Sequence, residues 1–404
     1  MALILPNRTN LSGMSSHGGS ASTSSDSPET QAPARFPTAI YAERLRRAAE
    51  LTAAAGLDAL LITPGPDLRY LLGSRADSFE RLTCLVIPAD GSTASVVVPR
   101  LELAALGDSA TEELGLTVRD WVDGVDPYAL VASGLPSPAR TAVADAMPAL
   151  HVIPLTSAFG APPVLATDVL RELRMIKDPA EIDALRRAGA AIDRVHARMA
   201  EWLRPGRTEA EVAADIDAAI IEEGHTAAEF IIVGSGPHGA DPHHEVSDRT
   251  IQAGDVVVVD IGGPVEPGYN SDSTRTYCLG EPSAEVAAQF AVLERAQRAA
   301  VDAVRPGVTA ESVDAAARDV LAAEGLADVF VHRTGHGIGL SVHEEPYIVA
   351  GNRIVLAEGM AFSIEPGIYF RGAWGARIED IVVVTADGCE PMNSRPHGLT
   401  VLEG

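Results

Sequence analysis

Residues 335–346 read GHGIGLSVHEEP: two histidines, His336 and His343, stand seven positions apart in a glycine-rich frame and are followed by Glu344 and Glu345. Imidazole nitrogens bind transition metals or move protons, and neighbouring carboxylates can do either. So much glycine argues against a helix, which excludes the helical H-E-x-x-H zinc motif. One histidine alone carries no such reading, so other metal-competent residues must stand in equally unusual places. Four carboxylates do. Asp260 ends the apolar run VVVVD, and Asp272 follows twelve residues later in YNSDSTRT, ahead of a β-prone run. Glu365 closes the apolar part of AFSIEPGIYF, where Pro366 and Gly367 turn the chain, and Glu379 lies in the largely apolar strand pattern GARIEDIVVVT.

Burying an unpaired carboxylate costs several kcal/mol. Four together repel one another and raise each other's pKa. Salt bridges from Arg275 and Arg377 are one way to offset this. Two divalent cations do so more completely, because four negative charges then meet four positive ones. With His336 added, the set is two Asp, two Glu and one His. Hard oxygen ligands with a single imidazole suit Mn²⁺, Co²⁺, Fe²⁺ or Zn²⁺ rather than a closed structural zinc site.

These residues need a scaffold, and the chain is long enough for two domains. Residues 1–36 are serine-, glycine- and threonine-rich and are expected to be a disordered leader. An α/β pattern begins at residue 37: AERLRRAAELTAAAG has helical periodicity, while DALLIT, LTCLVIP and ASVVVP read as strands. This pattern sets an α/β N-terminal domain over 37–160, a scaffold or a gate for substrate, with a break in the pattern within 156–166. The remainder, 161–404, is strongly helical from residue 167 and then carries all the candidate groups. It also contains a repeat. RPGRTEAEVAADIDAAIIEEG (204–224) matches RPGVTAESVDAAARDVLAAEG (305–325), each reading as a Pro-Gly turn, a threonine N-cap and a helix. Two such copies suggest similar halves packed about a pseudo-twofold axis.

Composition bounds the rest. The chain has 404 residues and a formal net charge of -25, which excludes nucleic acid as a main partner. No apolar run approaches a membrane span, and the initial MALIL is too short for a signal-peptide core. Cys84, Cys278 and Cys389 form no C-x-x-C pair and read as reduced thiols in a cytoplasmic protein.

The motifs VVVVDIGG, YNSDSTRT, HRTGHGIGLSVHEEP, SIEPGIY and RIEDIVVV, in this order across 176–400, resemble the pita-bread-fold metallopeptidases: methionine aminopeptidase, aminopeptidase P and prolidase. The α/β domain ahead of them resembles the creatinase-type N-terminal domain of aminopeptidase P and prolidase, which methionine aminopeptidases lack. The resemblance implies an α+β fold, with a pita-bread catalytic domain of internal pseudo-twofold symmetry behind a smaller α/β domain. It implies two divalent cations, manganese first, with cobalt, iron or zinc as alternatives. Asp260 would chelate the first ion, Asp272 and Glu379 would bridge both, and His336 and Glu365 would complete the second site. His243, in ADPHHEVSD, matches the family's substrate-side histidine; His332 and His343 match two further histidines that are not ligands. Arg377 matches an arginine near the bridging glutamate. His238 and His244 are read as surface or supporting residues, and Glu344 and Glu345 as groups that hold their loop or face solvent. The glycines about His336 would let the backbone approach the metals.

The implied reaction is hydrolysis of an Xaa-Pro bond in small peptides with proline at the second position, by a homodimer. Glu365 would move the proton and His243 or His343 would stabilise the oxyanion. In archaeal-type prolidases an arginine after H-E-x-P helps bind the dipeptide carboxylate. Tyr347 stands there in this chain, which favours an Xaa-Pro aminopeptidase, with Xaa-Pro dipeptidase (prolidase) as the alternative. A creatinase-like amidinohydrolase and a non-catalytic binding protein share the scaffold, but retention of all five ligand positions argues against both.

Overall fold

The computed structural model describes residues 34–77 and 80–404, so the serine-rich leader lies, up to residue 33, outside the described residues. The first part of the chain forms a six-stranded sheet in the order β4-β3-β2-β1-β5-β6. Its strands are β1 (Ala59–Ile62), β2 (Cys84–Pro88), β3 (Ser95–Pro99), β4 (Thr117–Trp121), β5 (Thr141–Val143) and β6 (Val164–Leu165). The central strands are runs of Val, Leu and Ile buried on both faces, as expected where helices cover a sheet twice. Helices α1 (Thr38–Ala54) and α2 (Pro66–Leu72) cover one face, and α3 (Pro127–Ala132) with α4 (Ala149–Phe159) covers the other. The stretch 156–166 holds the end of α4 and the edge strand β6. Val169, Leu170 and Leu173 of the next helix, α5 (Thr167–Arg174), enter the same core as Leu60 and Leu72, so the packing of this domain continues through α5.

The second part is built twice over. In its first half, α6 (Pro179–Ala197), α7 (Met199–Trp202) and α8 (Glu209–Glu222) pack on a sheet that contains β7 (Phe230–Ser235), β8 (Val256–Val265) and β9 (Tyr269–Leu279). In its second half, α9 (Ala284–Ala303) and α10 (Ala310–Ala323) pack on a five-stranded sheet, order β11-β10-β12-β15-β16. The strands of this half are β10 (Gly335–Gly337), β11 (Glu344–Ile348), β12 (Ala361–Ile364), β13 (Gly367–Phe370), β14 (Trp374–Arg377), β15 (Asp380–Val384), β16 (Cys389–Pro391) and β17 (Thr400–Leu402). Strands β13 and β14 pair with each other, and β17 returns to the edge of β9.

The two repeat copies occupy equivalent places. Thr208 bridges Thr250 and Thr309 bridges Val355, while the Gly206 and Gly307 amides donate to the carbonyls of Ile251 and Leu356 at 2.9 Å each. The copies differ at the cap. Thr208 forms a reciprocal capping box with Glu211, whereas Thr309 makes no side-chain cap bond. The second copy carries Ser312 at the third helical position, and its hydroxyl donates to the Thr309 carbonyl instead, so the reciprocal bond has no glutamate to make it.

Buried ion pairs join the two parts. Arg44 of α1 pairs with Asp178 and Glu181, and Tyr269 at the start of β9 donates to Glu181 at 2.7 Å. Among the described residues no helix is long and apolar enough to cross a membrane.

Gly189 lies inside α6, where alanine ordinarily gains about 1 kcal/mol over glycine. Here an added Cβ would stand 2.1 Å from the Met392 carbonyl oxygen. Gly189→Ala is therefore expected to destabilise the protein by roughly 1–3 kcal/mol in denaturant unfolding. A more stable variant would contradict this packing of α6 against the chain near Met392.

Candidate metal centre

The β8–β9 hairpin pairs Asp260 with Thr274 and Gly262 with Asp272, which puts both aspartates on one face as diagonal neighbours. Glu379 comes immediately before β15, and its amide donates to the Thr274 carbonyl at 3.1 Å, so the second sheet is hydrogen-bonded to the strand that carries Asp272. Glu365 comes immediately after β12, with its amide bonded to the Thr334 carbonyl at 2.8 Å, and His336 is the middle residue of β10. The glycines beside His336 have a definite steric reason. A Cβ on Gly335 would meet the Ser363 carbonyl oxygen at 1.8 Å, and one on Gly337 would meet that of Glu345 at 2.3 Å. They make room for the backbone of the adjacent strands.

Asp260, Asp272, His336, Glu365 and Glu379 all line one cavity of about 660 Å³. His336 Nε2 is 3.3 Å from a Glu365 oxygen and 3.5 Å from an Asp272 oxygen. One ligand atom each of Asp272, His336 and Glu379 lies within 4.8 Å of the others. Burial is the largest cause that holds the Asp272 and Glu379 carboxyls well above the ordinary range, and nearby carboxylates add to it. Burial also pushes Glu365 up to about 7, with Arg377 opposing the rise and Asp260 adding to it. The mutual repulsion expected from the sequence is thus present.

Arg377 offsets part of it. The guanidinium donates to Asp260 at 2.5 Å and, through Nε, to the Thr274 hydroxyl at 3.0 Å; Thr274 in turn donates to Glu379 at 2.7 Å. Arg275, the other cation expected to help, pairs with Asp380 and donates to the backbone carbonyl of Glu379 instead. Arg333 also lines the cavity, and two arginines against four carboxylates leave the cluster short of positive charge.

Two further observations fit divalent cations. Asp260 Oδ1 is buried with no hydrogen-bond partner. His336 donates its Nδ1 proton to the Gly337 carbonyl at 3.1 Å, and burial holds its pKa down to about 3. The neutral ring therefore turns an Nε2 lone pair towards Asp272 and Glu365, where only a cation or a proton relieves the contact. A ring that donates its other nitrogen to a backbone carbonyl is the usual second anchor of a metal-binding histidine.

His243, His332, His343 and Arg377 line the same cavity. The His343 ring lies edge-on to His336 with centroids 4.2 Å apart. His332 donates through Nδ1 to the Arg333 carbonyl at 2.7 Å, so its Nε2 accepts the Tyr369 hydroxyl at 2.8 Å, and Tyr369 accepts from Arg377 at 2.8 Å. Tyr369 and Thr274 went unnoticed in the sequence, although Tyr369 sits four positions after Glu365 and Thr274 two after Asp272. Glu344 is held by Arg174 and Lys177, and Glu345 lies 3.8 Å from Arg171. His238 and His244 do not enter the cavity; both bond to the buried Glu209.

Residues 183–386 match metallopeptidase family M24, and residues 44–176 match the Creatinase/Prolidase N-terminal domain. The chain is 68% identical over 369 residues to a probable dipeptidase, PepE, of Mycobacterium tuberculosis, covering 91% of this chain and 98% of that one. It is 35% identical over 348 residues to the Xaa-Pro dipeptidase of Lactobacillus helveticus, covering 83% of this chain and 92% of that one. The crystal structure of dipeptidase PepE from Mycobacterium ulcerans superposes with a TM-score of 0.89 at 69% identity, covering 92% of this chain and 100% of that one.

Glu365 titrates near 4.3 in an unfolded chain and at about 7 in the folded, cation-free protein. Between these values the folded state keeps a proton that the unfolded state has released, so the group's contribution is fully present below about pH 4.3 and lost as pH rises through about 7. In chelator, Glu365→Gln is therefore expected to gain stability relative to the parent as pH rises from 5 to 8, by about 2–3 kcal/mol in denaturant unfolding. Saturating Mn²⁺ should reverse the order. A stability difference independent of pH would contradict the crowding of these carboxylates.

Proposed function

The chain belongs to metallopeptidase family M24, and we propose that it is an Xaa-Pro dipeptidase whose nine cavity-lining groups act on the bond before proline. The observation that carries this is the convergence of Asp260, Asp272, Glu365 and Glu379 with His336, three further histidines and Arg377 on one cavity of about 660 Å³. Asp260, Asp272, His336, Glu365 and Glu379 would hold two divalent cations, manganese first by the preponderance of carboxylate ligands. When bound, such a pair supplies the Lewis acidity that makes water nucleophilic near neutral pH. Glu365, at the cavity wall, takes the water's proton and passes it to the departing proline nitrogen. Burial and the nearby Arg333 hold the His343 imidazole below its usual range, so it offers a hydrogen bond to the developing oxyanion without adding full charge; His243 lines the same cavity and offers a second. Arg377 and Tyr369 hold Asp260 and His332 in place.

The curated relatives named above support the dipeptidase over the aminopeptidase favoured from Tyr347 alone. There is a physical reason to discount that residue. Arg333 lies 4.5 Å over the Tyr347 ring and lines the cavity, so a cation stands at this edge despite the tyrosine. A cytoplasmic site agrees with the unpaired cysteines Cys84, Cys278 and Cys389.

With Mn²⁺, kcat/KM for Ala-Pro is expected to exceed that for Ala-Pro-Ala by about tenfold or more, and Ala-Ala should be cleaved far more slowly. A preference for the tripeptide would return the aminopeptidase reading, and comparable cleavage of Ala-Ala would remove the proline specificity. Glu365→Gln should lower kcat by about 100-fold or more while KM changes little; full activity would remove its role in proton transfer.

A further inference from the structure

A second convergence of metal-competent groups lies outside the cavity, at the start of α8. Glu209 is the first residue of that helix and is wholly buried. Its carboxylate accepts the Ser235 amide at 2.9 Å, the Ser235 hydroxyl at 2.6 Å and the Ser247 hydroxyl at 2.7 Å. His238 Nδ1 faces it at 3.1 Å and His244 Nε2 at 2.8 Å, with the two rings 4.4 Å apart. One donor atom from each of the three residues lies within 4.8 Å of the others.

From this geometry we infer that Glu209, His238 and His244 form a separate site for one divalent cation of the zinc class, distinct from the five residues of the catalytic cavity. The spacing suits such an ion. Ligands about 2.0–2.2 Å from a tetrahedral centre stand roughly 3.3–3.5 Å from each other, a few tenths of an ångström wider than the present contacts. The outward nitrogens, His238 Nε2 and His244 Nδ1, bond to no described residue. Each neutral ring can carry its proton there and turn a lone pair inward without any change in charge. The three donors from Ser235 and Ser247 leave the carboxylate a free lone-pair direction and fix its orientation, as outer partners of a ligand do. Arg249, which donates to the Ser235 hydroxyl, is already paired with Asp255. His238 is 37% exposed, which gives an ion a route in.

The donor chemistry separates the two sites. Four carboxylates and one imidazole favour manganese, whereas two imidazoles and one carboxylate favour zinc. An ion here would tie α8 to His238 and His244, on either side of the stretch that carries His243 towards the cavity. The inference does not depend on which peptides are cleaved.

The test uses His238→Asn and His244→Gln. The new amides keep a donor close to where each imidazole nitrogen donates to Glu209, so the hydrogen-bonded brace survives while the imidazole ligand is lost. The full chain and both variants are dialysed against Mn²⁺ and then against added Zn²⁺, and total divalent metal per chain is measured by elemental analysis. The parent should hold one ion more than either variant, and half-saturation of that ion should need about tenfold more Zn²⁺ or worse in each variant. Zn²⁺ should raise the melting temperature of the parent beyond that of the variants, while all three melt together in chelator. Equal metal content in parent and variants would overturn the inference, whatever the cavity holds. A shift in melting temperature confined to chelator, with no difference in metal content, would also overturn it and leave a purely hydrogen-bonded brace.

Discussion

Lone pairs facing lone pairs is the constraint that organises this molecule. The carboxylates of Asp272, Glu365 and Glu379 and the Nε2 of His336 meet at the wall of one cavity, with Arg377 the only guanidinium bonded to the side chain of Asp260, Asp272, Glu365 or Glu379 among the described residues. Desolvation and mutual repulsion both oppose ionisation of such a set, and the raised pKa values of its three carboxyls record that opposition. In water the groups would separate. Here the backbone holds them, because each ligand belongs to a strand or strand end whose amides and carbonyls are already paired. The paired strands hold the cluster in place, and cations bound there would convert the cost of crowding into binding affinity.

The duplicated architecture explains how ligands from distant parts of the sequence converge. Each half sets a helix pair outside and a sheet inside, and the two sheets are joined where the Glu379 amide bonds to the Thr274 carbonyl. The N-terminal domain contributes stiffness more than chemistry. Arg174 and Lys177 grip Glu344 on the loop that carries His343, and Arg44 meets Glu181, which accepts the Tyr269 hydroxyl. These pairs are buried, so breaking one would leave an uncompensated charge.

The metal-competent residues were legible because a charge that interrupts an apolar β run is conspicuous. Asp260 after four valines and Glu379 before IVVV announce themselves, and so does a histidine between glycines. Thr274 and Tyr369 were not, since threonine and tyrosine are ordinary strand residues and their bonds to Glu379 and His332 depend on register between separate elements. Glu209 was hidden for a similar reason: an acid in the first turn of a helix is expected on electrostatic grounds, and only the fold brings His238 and His244 to it. Tyr347 favoured the aminopeptidase because a charge was sought at that one position in the chain, whereas Arg333 reaches the same edge from fourteen residues earlier. Thr309 caps α10 by position but lacks the reciprocal box of Thr208, because the second copy has Ser312 where the first has Glu211.

The most direct test of this account is equilibrium binding of Mn²⁺ to the chelator-stripped protein and to its Asp272→Asn, Glu379→Gln double variant near neutral pH. Two ions per chain in the parent, with tight binding lost in the variant, is the result the account predicts. A parent that takes up no Mn²⁺ while remaining folded would contradict it, because the crowded carboxylates would then be stable without the charge they are said to need.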